Sequence, residues 1–407
     1  MIQNLSFCTD LTIDATIHSM SCHLISCQAV GVLDSKTSPT SGSSTKPGTS
    51  TSSSSSKPMK PHHYKYDLFR FYENMSVESP IRDGLIVNWD MLEDLWEHCL
   101  TSYLRLNHNT SPLNLSEFPL LFAEKPYTPA STRYRLCEMM FEKYNAPAIF
   151  FSKDAVLSCY ACGKTGGLVV DIGGSGTVVT PVQDGWVEQK GVCRSLVGGR
   201  MIDAQVRRII KQASLTPFFR LDRTAVDNID LSDGRTIEAT FKQNLGRVHP
   251  SYDAYKRLEV ARDLKETLCR MSDSTLMEGD SRYCSIPLVP YELPDGTKVE
   301  VNIERYQMGE LLIDPSTIDQ LYNQDLETLY PQLPTSITVP GTLEGVSKIM
   351  SDAVARCDHD MQAMLLKDIV LTGGSSSIDG LQDRIRTECK QHSSSSSSSS
   401  LQSLALL

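Results

Sequence analysis

The chain has 407 residues, with 49 acidic and 39 basic side chains, a formal net charge of −10, 40% hydrophobic and 22% charged residues. That is the composition of a soluble globular protein long enough for two domains, and its acidic balance argues against broad nucleic-acid affinity through a basic surface. No stretch approaches the ~20 apolar residues of a membrane span, and twelve cysteines without framework spacing fit a reducing compartment. The first thirty residues lack a basic stretch followed by an apolar core, so no secretory signal is expected.

Taken in order, residues 1–33 have no clear period and end in the strand-like run Gln28 to Leu33. Residues 34–61 are Ser, Thr, Pro and Gly with too few apolar groups to offset ordering entropy, and are expected to be a disordered loop. Ordered sequence is expected to resume near Tyr64. Leu92, Leu95, Trp96, Cys99 and Leu100 recur at helical spacing, with Asp90 as the expected cap, and read as core packing. Leu113 to Leu115 reads as a short strand, Ser131 to Tyr144 as a helix with Leu136, Met139 and Met140 inward, and Ala148 to Phe151 as a buried strand. Lys153 to Tyr160 reads as a helix closed by Gly163.

The stretch GGLVVDIGGSGTVVTP, Gly166 to Pro181, reads as strand, tight turn, strand. Asp171 and the glycines Gly173, Gly174 and Gly176 at its tip suit a phosphate cradle, because glycine lets backbone N–H groups approach an anion. A hairpin that uses glycine only for its geometry is the alternative. Gly185-Trp186 then turns into another strand, and Gly198-Gly199-Arg200 leads to a helix from Met201 to Lys211. Gln212 to Pro250 reads as an irregular insertion and Asp253 to Arg270 as a helix. Tyr291 to Val301 reads as a hairpin around Pro294-Asp295-Gly296. After a helix from Gly345 to Cys357, the strand Asp368 to Leu371 runs into Thr372-Gly373-Gly374-Ser375 and a helix from Ile378 to Cys389. A strand ending in Gly-Gly before a helix suits a nucleotide, and two such turns suggest one ligand held between two halves. Ser393 to Ser400 and the final LQSLALL are low complexity, with no core to join.

Other motifs carry less. Cys159 and Cys162 have the spacing of a redox or zinc pair, but they stand near a helix end with no second pair, and read as core thiols. Gly163-Lys164-Thr165 lacks the earlier glycine of a Walker motif and precedes a strand. His62 and His63 have no nearby cysteine pair, so no metal site is expected. No catalytic arrangement stands out.

The block SPIRDGLIVNWDMLEDLWEHCL (Ser79 to Leu100) resembles actin, as does the segment from Glu124 to Trp186, and GGRMID, RDLKETLC and LTGGSSSIDGL follow in actin order. Within the actin superfamily, VQDGWVEQKGV, CRMSDST, VPYELPDG and LLIDPS resemble the actin-related protein 4 subfamily of nuclear chromatin-complex subunits, as does the place of the Ser-rich insertion. The resemblance implies an α/β, actin-like (ribonuclease H-like, duplicated α/β) fold with two lobes around a nucleotide cleft. It implies an atypical segment 1–33, a disordered Ser/Pro-rich insertion 34–63 and a first lobe 64–161. A second lobe 162–390 would follow, with a subdomain insertion 198–332, and then a low-complexity tail 391–407.

By position, Asp171, Gly173, Gly174, Ser175 and Gly176 resemble the second phosphate loop. Gly199, Lys265 and Glu266 resemble nucleoside contacts, and Gly373, Gly374 and Ile378 the adenine side of the cleft. ATP, with Mg, is the implied structural ligand. The departures are that the water-positioning Gln of actins is here Asp154, their hydrolysis-linked His is Val178, and the loop's second acidic residue is Gly174. No first phosphate loop is visible before AVGVL, and the family's last elements after Cys389 are replaced by serines and LQSLALL, so the fold is expected to be incomplete at both ends with apolar faces exposed.

The implied function is that of a non-catalytic nuclear scaffold in chromatin-remodelling and histone acetyltransferase complexes, tied to transcription regulation and DNA repair. Its implied partners are actin, a long helical segment of a remodeller ATPase or acetyltransferase scaffold, and histones or the nucleosome, with no membrane and no sequence-specific nucleic acid. A polymerising cytoskeletal ATP-binding protein and a sugar or acid kinase of the same fold are the alternatives.

Overall fold

A computed structural model describes residues 30–34, 62–65, 67–102, 114–210, 215–222, 241–242, 244–275, 286–317, 341–394 and 403–406. Nearly all of the Ser-rich insertion, most of the N-terminal segment and much of 212–250 lie outside these residues.

The first group of elements is a small antiparallel sheet, β1 (Val30–Asp34) flanked by β2 (His62–Lys65) and β3 (Ser76–Glu78). The strand expected at Gln28 to Leu33 is β1. Helix α1 (Trp89–Ser102) lays Met91, Leu95 and Cys99 against Val30 and Val32 of that strand. Its cap is Asn88 rather than Asp90: the Asn88 side chain accepts from the Met91 N–H. Asp90 stands in the first turn, where its charge suits the helix dipole. Before α1, β4 (Ile81–Arg82) and β5 (Leu85–Ile86) form a hairpin whose two-residue loop, Asp83-Gly84, has positive φ at both positions, the turn that matches strand twist.

Two parallel strands follow, β6 (Leu120–Glu124) and β7 (Ile149–Lys153), joined through α2 (Ala130–Glu138) and a π turn at Met139–Lys143. Two sequence expectations change here, and one strand is new. Leu115–Glu117 is a 3-10 turn, because the Asn114 side chain accepts the Ser116 N–H and closes it. The strand expected at Ala148 to Phe151 is only half-buried, with Phe150 well exposed. Strand β6 escaped notice because its run LLFAE is too short to show a period.

The main sheet is built on β8 (Gly167–Ile172). It pairs antiparallel with β9 (Thr177–Gln183) as the hairpin pattern predicts, and β9 also carries β10 (Trp186–Val187) and β11 (Cys193–Ser195). On the other side of β8 lies β14 (Asp368–Thr372), in parallel, and beyond it β15 (Ser403–Leu406). The tail strand corrects the reading that LQSLALL has no core to join. Helix α9 (Leu381–Ser394) carries the chain back along β14, whose free edge accepts the short apolar run, with Ile369 opposite Leu404.

Helix α3 (Asp154–Ala161) packs on one face of this sheet, burying Ala155, Val156 and Cys159 against Val169 and Val370. The other face is the large core. There α4 (Gly199–Ile209), α5 (Pro250–Leu268), α6 (Glu304–Glu310), α7 (Val346–Ala355), α8 (His359–Leu365) and α9 surround Leu168, Val170, Ile172 and Leu371, together with the hairpin β12 (Val289–Glu292) and β13 (Lys298–Val301). Part of the presumed insertion is core as well: Phe219 stacks on Phe71 at 5.6 Å and meets Tyr252 edge-on, tying 215–222 to the first sheet.

Candidate functional site

Parallel pairing of β8 and β14 decides where the two glycine turns lie. Their register sets Asp171 opposite Thr372, so the turn after β8 and the turn after β14 leave the same edge of one sheet side by side. Ligands of α/β sheets collect at such carboxyl ends. The turns are neighbours on one sheet, not opposed across two halves.

They are also in contact. Gly373 has φ +92, and a Cβ built there would come within 2.5 Å of Asp171 Oδ1 and of the Ile172 carbonyl, so only glycine fits. At Gly199 a Cβ would meet Ser375 Oγ at 2.6 Å and Lys265 Nζ at 3.4 Å. The Gly199 and Arg200 N–H groups donate to the Gly173 and Gly174 carbonyls at 3.0 and 2.8 Å, which docks the first turn of α4 on the hairpin tip. Gly173 donates back to the Gly176 carbonyl at 3.0 Å, closing a two-residue loop of Gly174 and Ser175. Open space begins at Gly374, where a Cβ would touch nothing within 4 Å, and at exposed Gly174, where it would make only ordinary contact with Arg200.

Lys265 is buried at this junction, 2.6 Å from Asp203 and donating to the Gly199 carbonyl at 3.3 Å. Glu266, its neighbour in the motif, is exposed. Ile378 is half-buried and packs on the main core. A 3-10 turn, Gly374–Ser377, separates the second glycine pair from α9, which begins at Leu381 and not at Ile378. The positive end of α9 is therefore not at the glycine pair.

The charged centre of the site includes a residue that sequence reasoning passed over. Lys125 follows β6, Asp154 follows β7 and Asp171 sits at the end of β8. Lys125 Nζ lies 2.5 Å from Asp171 Oδ2 and 2.8 Å from Asp154 Oδ2, with all three side chains largely buried. Burial works to lower the Lys125 pKa, but the charges and hydrogen bonds of Asp154 and Asp171 outweigh it and hold the ammonium well above its ordinary value. Burial pushes Asp154 up, with the Asp171 charge adding to it, and Lys125 offsets only part of this.

The segment that carries the lysine is held by further contacts. The neighbouring Glu124 is clamped by Arg133 and by Lys153, whose ammonium is 2.7 Å away. Lys153 also donates to the Lys125 and Pro126 carbonyls at 3.2 and 3.3 Å. Burial tends to raise the Glu124 carboxyl, but Arg133 and Lys153 together keep it below its usual range. The Lys125 stem lies over Gly84, where a Cβ would be 3.2 Å from Lys125 Cγ. The Tyr127 hydroxyl donates to the Asp83 carbonyl at 2.9 Å, and the Arg194 guanidinium stands 5.2 Å from the Tyr127 ring. A signal for Lys125 did exist. Asp154 in place of an uncharged Gln adds a negative charge beside Asp171, and such a charge requires a cation nearby.

These residues do not fit a magnesium ion. A divalent cation needs carboxylate oxygens at about 2.0–2.6 Å, and the point shared by Asp154 and Asp171 is taken by Lys125 Nζ. Among the described residues no cluster of three or more His, Cys, Asp or Glu could hold a metal. For a nucleotide the fit is better, since the exposed surface from Gly174 to Gly374 offers bare backbone with Lys265 beneath it. Of the positions where actins place hydrolytic groups, Val178 is buried and apolar, and Gly174 carries no side chain.

The cysteine pair belongs to the core. Cys159 is fully buried, and burial pushes its thiol up to about 12, while Cys162 is raised for the same reason. In native protein Cys159 is therefore expected to resist alkylation by iodoacetamide at neutral pH and to label fully in denaturant. Fast native labelling of Cys159 in a peptide-mapping experiment would show that this packing is wrong.

Residues 39–405 match the family model described as Actin. The chain is 33% identical over 337 residues to actin-related protein 4 of Oryza sativa subsp. indica, with 79% of this chain and 67% of the relative covered. It is 30% identical over 330 residues to actin-related protein 4 of Arabidopsis thaliana, with 79% and 68% covered, and 29% identical over 320 residues to that of Yarrowia lipolytica, with 78% and 67% covered. The chain thus spans about two thirds of the length of these relatives. The glycine turns at one edge of a mixed sheet, the order of the matching motifs and the extent of the family match together place this chain in the actin family, as an actin-related protein.

Proposed function

We propose that this protein is a non-catalytic actin-related scaffold subunit of nuclear chromatin-remodelling and histone acetyltransferase complexes. In this reading it pairs with actin on a long helix of a remodeller ATPase or acetyltransferase scaffold and helps engage histones on the nucleosome. Transcription regulation and DNA repair follow from membership of those complexes. The observation that carries the non-catalytic part is the Lys125 ammonium between Asp154 and Asp171. Phosphoryl transfer to water needs a positioned water and compensated phosphate charge. Here the group at the Gln position is a carboxylate already engaged by lysine, and the group at the His position is a buried valine. ATP, bound across Gly174 and Gly374 with Lys265 below, is at most a structural ligand.

Two measurements test the proposal. Purified protein should release phosphate from ATP at the background rate of buffer, and sustained turnover abolished by Asp171→Asn would overturn the non-catalytic reading. Affinity purification of the tagged protein from nuclear extract should recover remodeller and acetyltransferase subunits along with actin. Filaments of the tagged protein in the cytosol, with no remodeller or acetyltransferase subunits recovered from nuclear extract, would favour the cytoskeletal alternative.

A further inference from the structure

We infer that Lys125 is a tethered cation that replaces a divalent metal at the glycine-turn site, so that Asp154 and Asp171 bind no metal ion while the lysine is in place. Three features of the geometry carry this. The ammonium lies 2.8 and 2.5 Å from one oxygen of each carboxylate, the position a bridging ion would need. The lysine is attached to the chain, so its local concentration exceeds that of any dissolved ion, and a dication approaching the pair meets its positive charge at close range. Its backbone is fixed: Lys153 binds the carbonyls of Lys125 and Pro126, and Gln189 Nε2 donates to Pro126 at 3.4 Å. The stem packs on one side against the Asp83-Gly84 turn.

The arrangement also has a structural consequence. Lys125 and Asp154 follow the parallel pair β6 and β7, while Asp171 belongs to the main sheet, so one ammonium joins the carboxyl ends of two sheets. A metal at this place would let the junction respond to ion concentration, whereas a lysine makes it permanent.

The test uses Mn²⁺ as the probe, with the full chain titrated and free Mn²⁺ read by electron paramagnetic resonance. Wild type and Asp171→Asn should give the same weak background. Lys125→Ala should gain a binding site tighter than that background by on the order of a hundredfold, the effect expected when a unit charge is removed from contact with a dication. The double variant Lys125→Ala with Asp171→Asn should lose the gain, and methylammonium should compete with Mn²⁺ in Lys125→Ala. Lys125→Arg, which keeps the charge, should behave as wild type. Should the alanine variant fail to fold by circular dichroism, Lys125→Gln keeps most of the stem and serves in its place. Wild-type binding of Mn²⁺ that disappears in Asp171→Asn overturns the inference, as does a folded Lys125→Ala or Lys125→Gln with no gain. The readout is metal binding alone, so it stands or falls apart from any result on chromatin partners.

Discussion

Arg384→Met is expected to lower stability by about 4 kcal/mol, the loss that follows when one member of a buried charge network is removed. Arg384 is only 1% exposed, yet every donor is used. Nε donates to Glu388 at 2.8 Å, Nη1 to Glu310 at 2.9 Å and the Ser272 carbonyl at 3.2 Å, and Nη2 to Glu310 at 2.7 Å and Thr275 at 2.9 Å. Burial would lower the guanidinium pKa, but Glu310 and Glu388 carry it above its ordinary value. One side chain therefore fastens α9 to α6 and to the segment after α5. Removing it leaves two carboxylates without their cation in a water-poor place. Lys should not substitute, because a point charge cannot reproduce five donors in a planar fork. Urea denaturation is the measurement. The triple variant Arg384→Met, Glu310→Gln, Glu388→Gln should recover a good part of the loss, since the cost lies in the uncompensated charges. No recovery would mean that Arg384 acts by packing instead.

Lys125→Met is expected to cost about 3 kcal/mol at neutral pH, for the same reason. Its pH dependence separates charge from packing. The Lys125 pKa is raised in the folded state, so its contribution is fully present below the ordinary lysine value of about 10.4 and is lost only as pH rises through the folded value. In wild type it is at full strength across the neutral range. Without Lys125, burial and the Asp171 charge act on Asp154 unopposed, and its already raised pKa climbs further. A carboxyl raised in the folded state favours folding as pH falls through that value towards about 3.9. The stability gap between wild type and Lys125→Met should therefore narrow as pH falls from 7 towards 5. A gap that stays constant would assign the loss to packing of the lysine stem.

Much of the fold was legible because its signals are local. The Gly166 to Pro181 hairpin, the Tyr291 to Val301 hairpin around Gly296, and the α1 stripe of Leu92, Leu95 and Cys99 all follow from periodicity and turn chemistry, and the structure has them. Two local readings failed where a side chain reached the backbone: Asn88 displaced Asp90 as the cap, and Asn114 closed a turn where a strand was expected. At the site, the glycines were visible as residue types, but their use was not. Gly373 and Gly199 are glycines because one turn lies against another, a contact between segments far apart in the chain.

By itself the sequence determined the β-turn-β shape of the hairpin at Asp171 and the glycine pair after Asp368 to Leu371, because each is written in adjacent residues, and the order of the actin-like motifs along the chain. Only the tertiary structure decided that Asp171 faces Lys125 and Asp154, and that the tail 403–406 completes the sheet. Asp171 reaches Lys125 and Asp154 from a different sheet by packing, while β14 with β15 and β6 with β7 meet by parallel pairing. Such pairing aligns the carboxyl ends of strands separated by long crossovers, and no local pattern records which ends will meet.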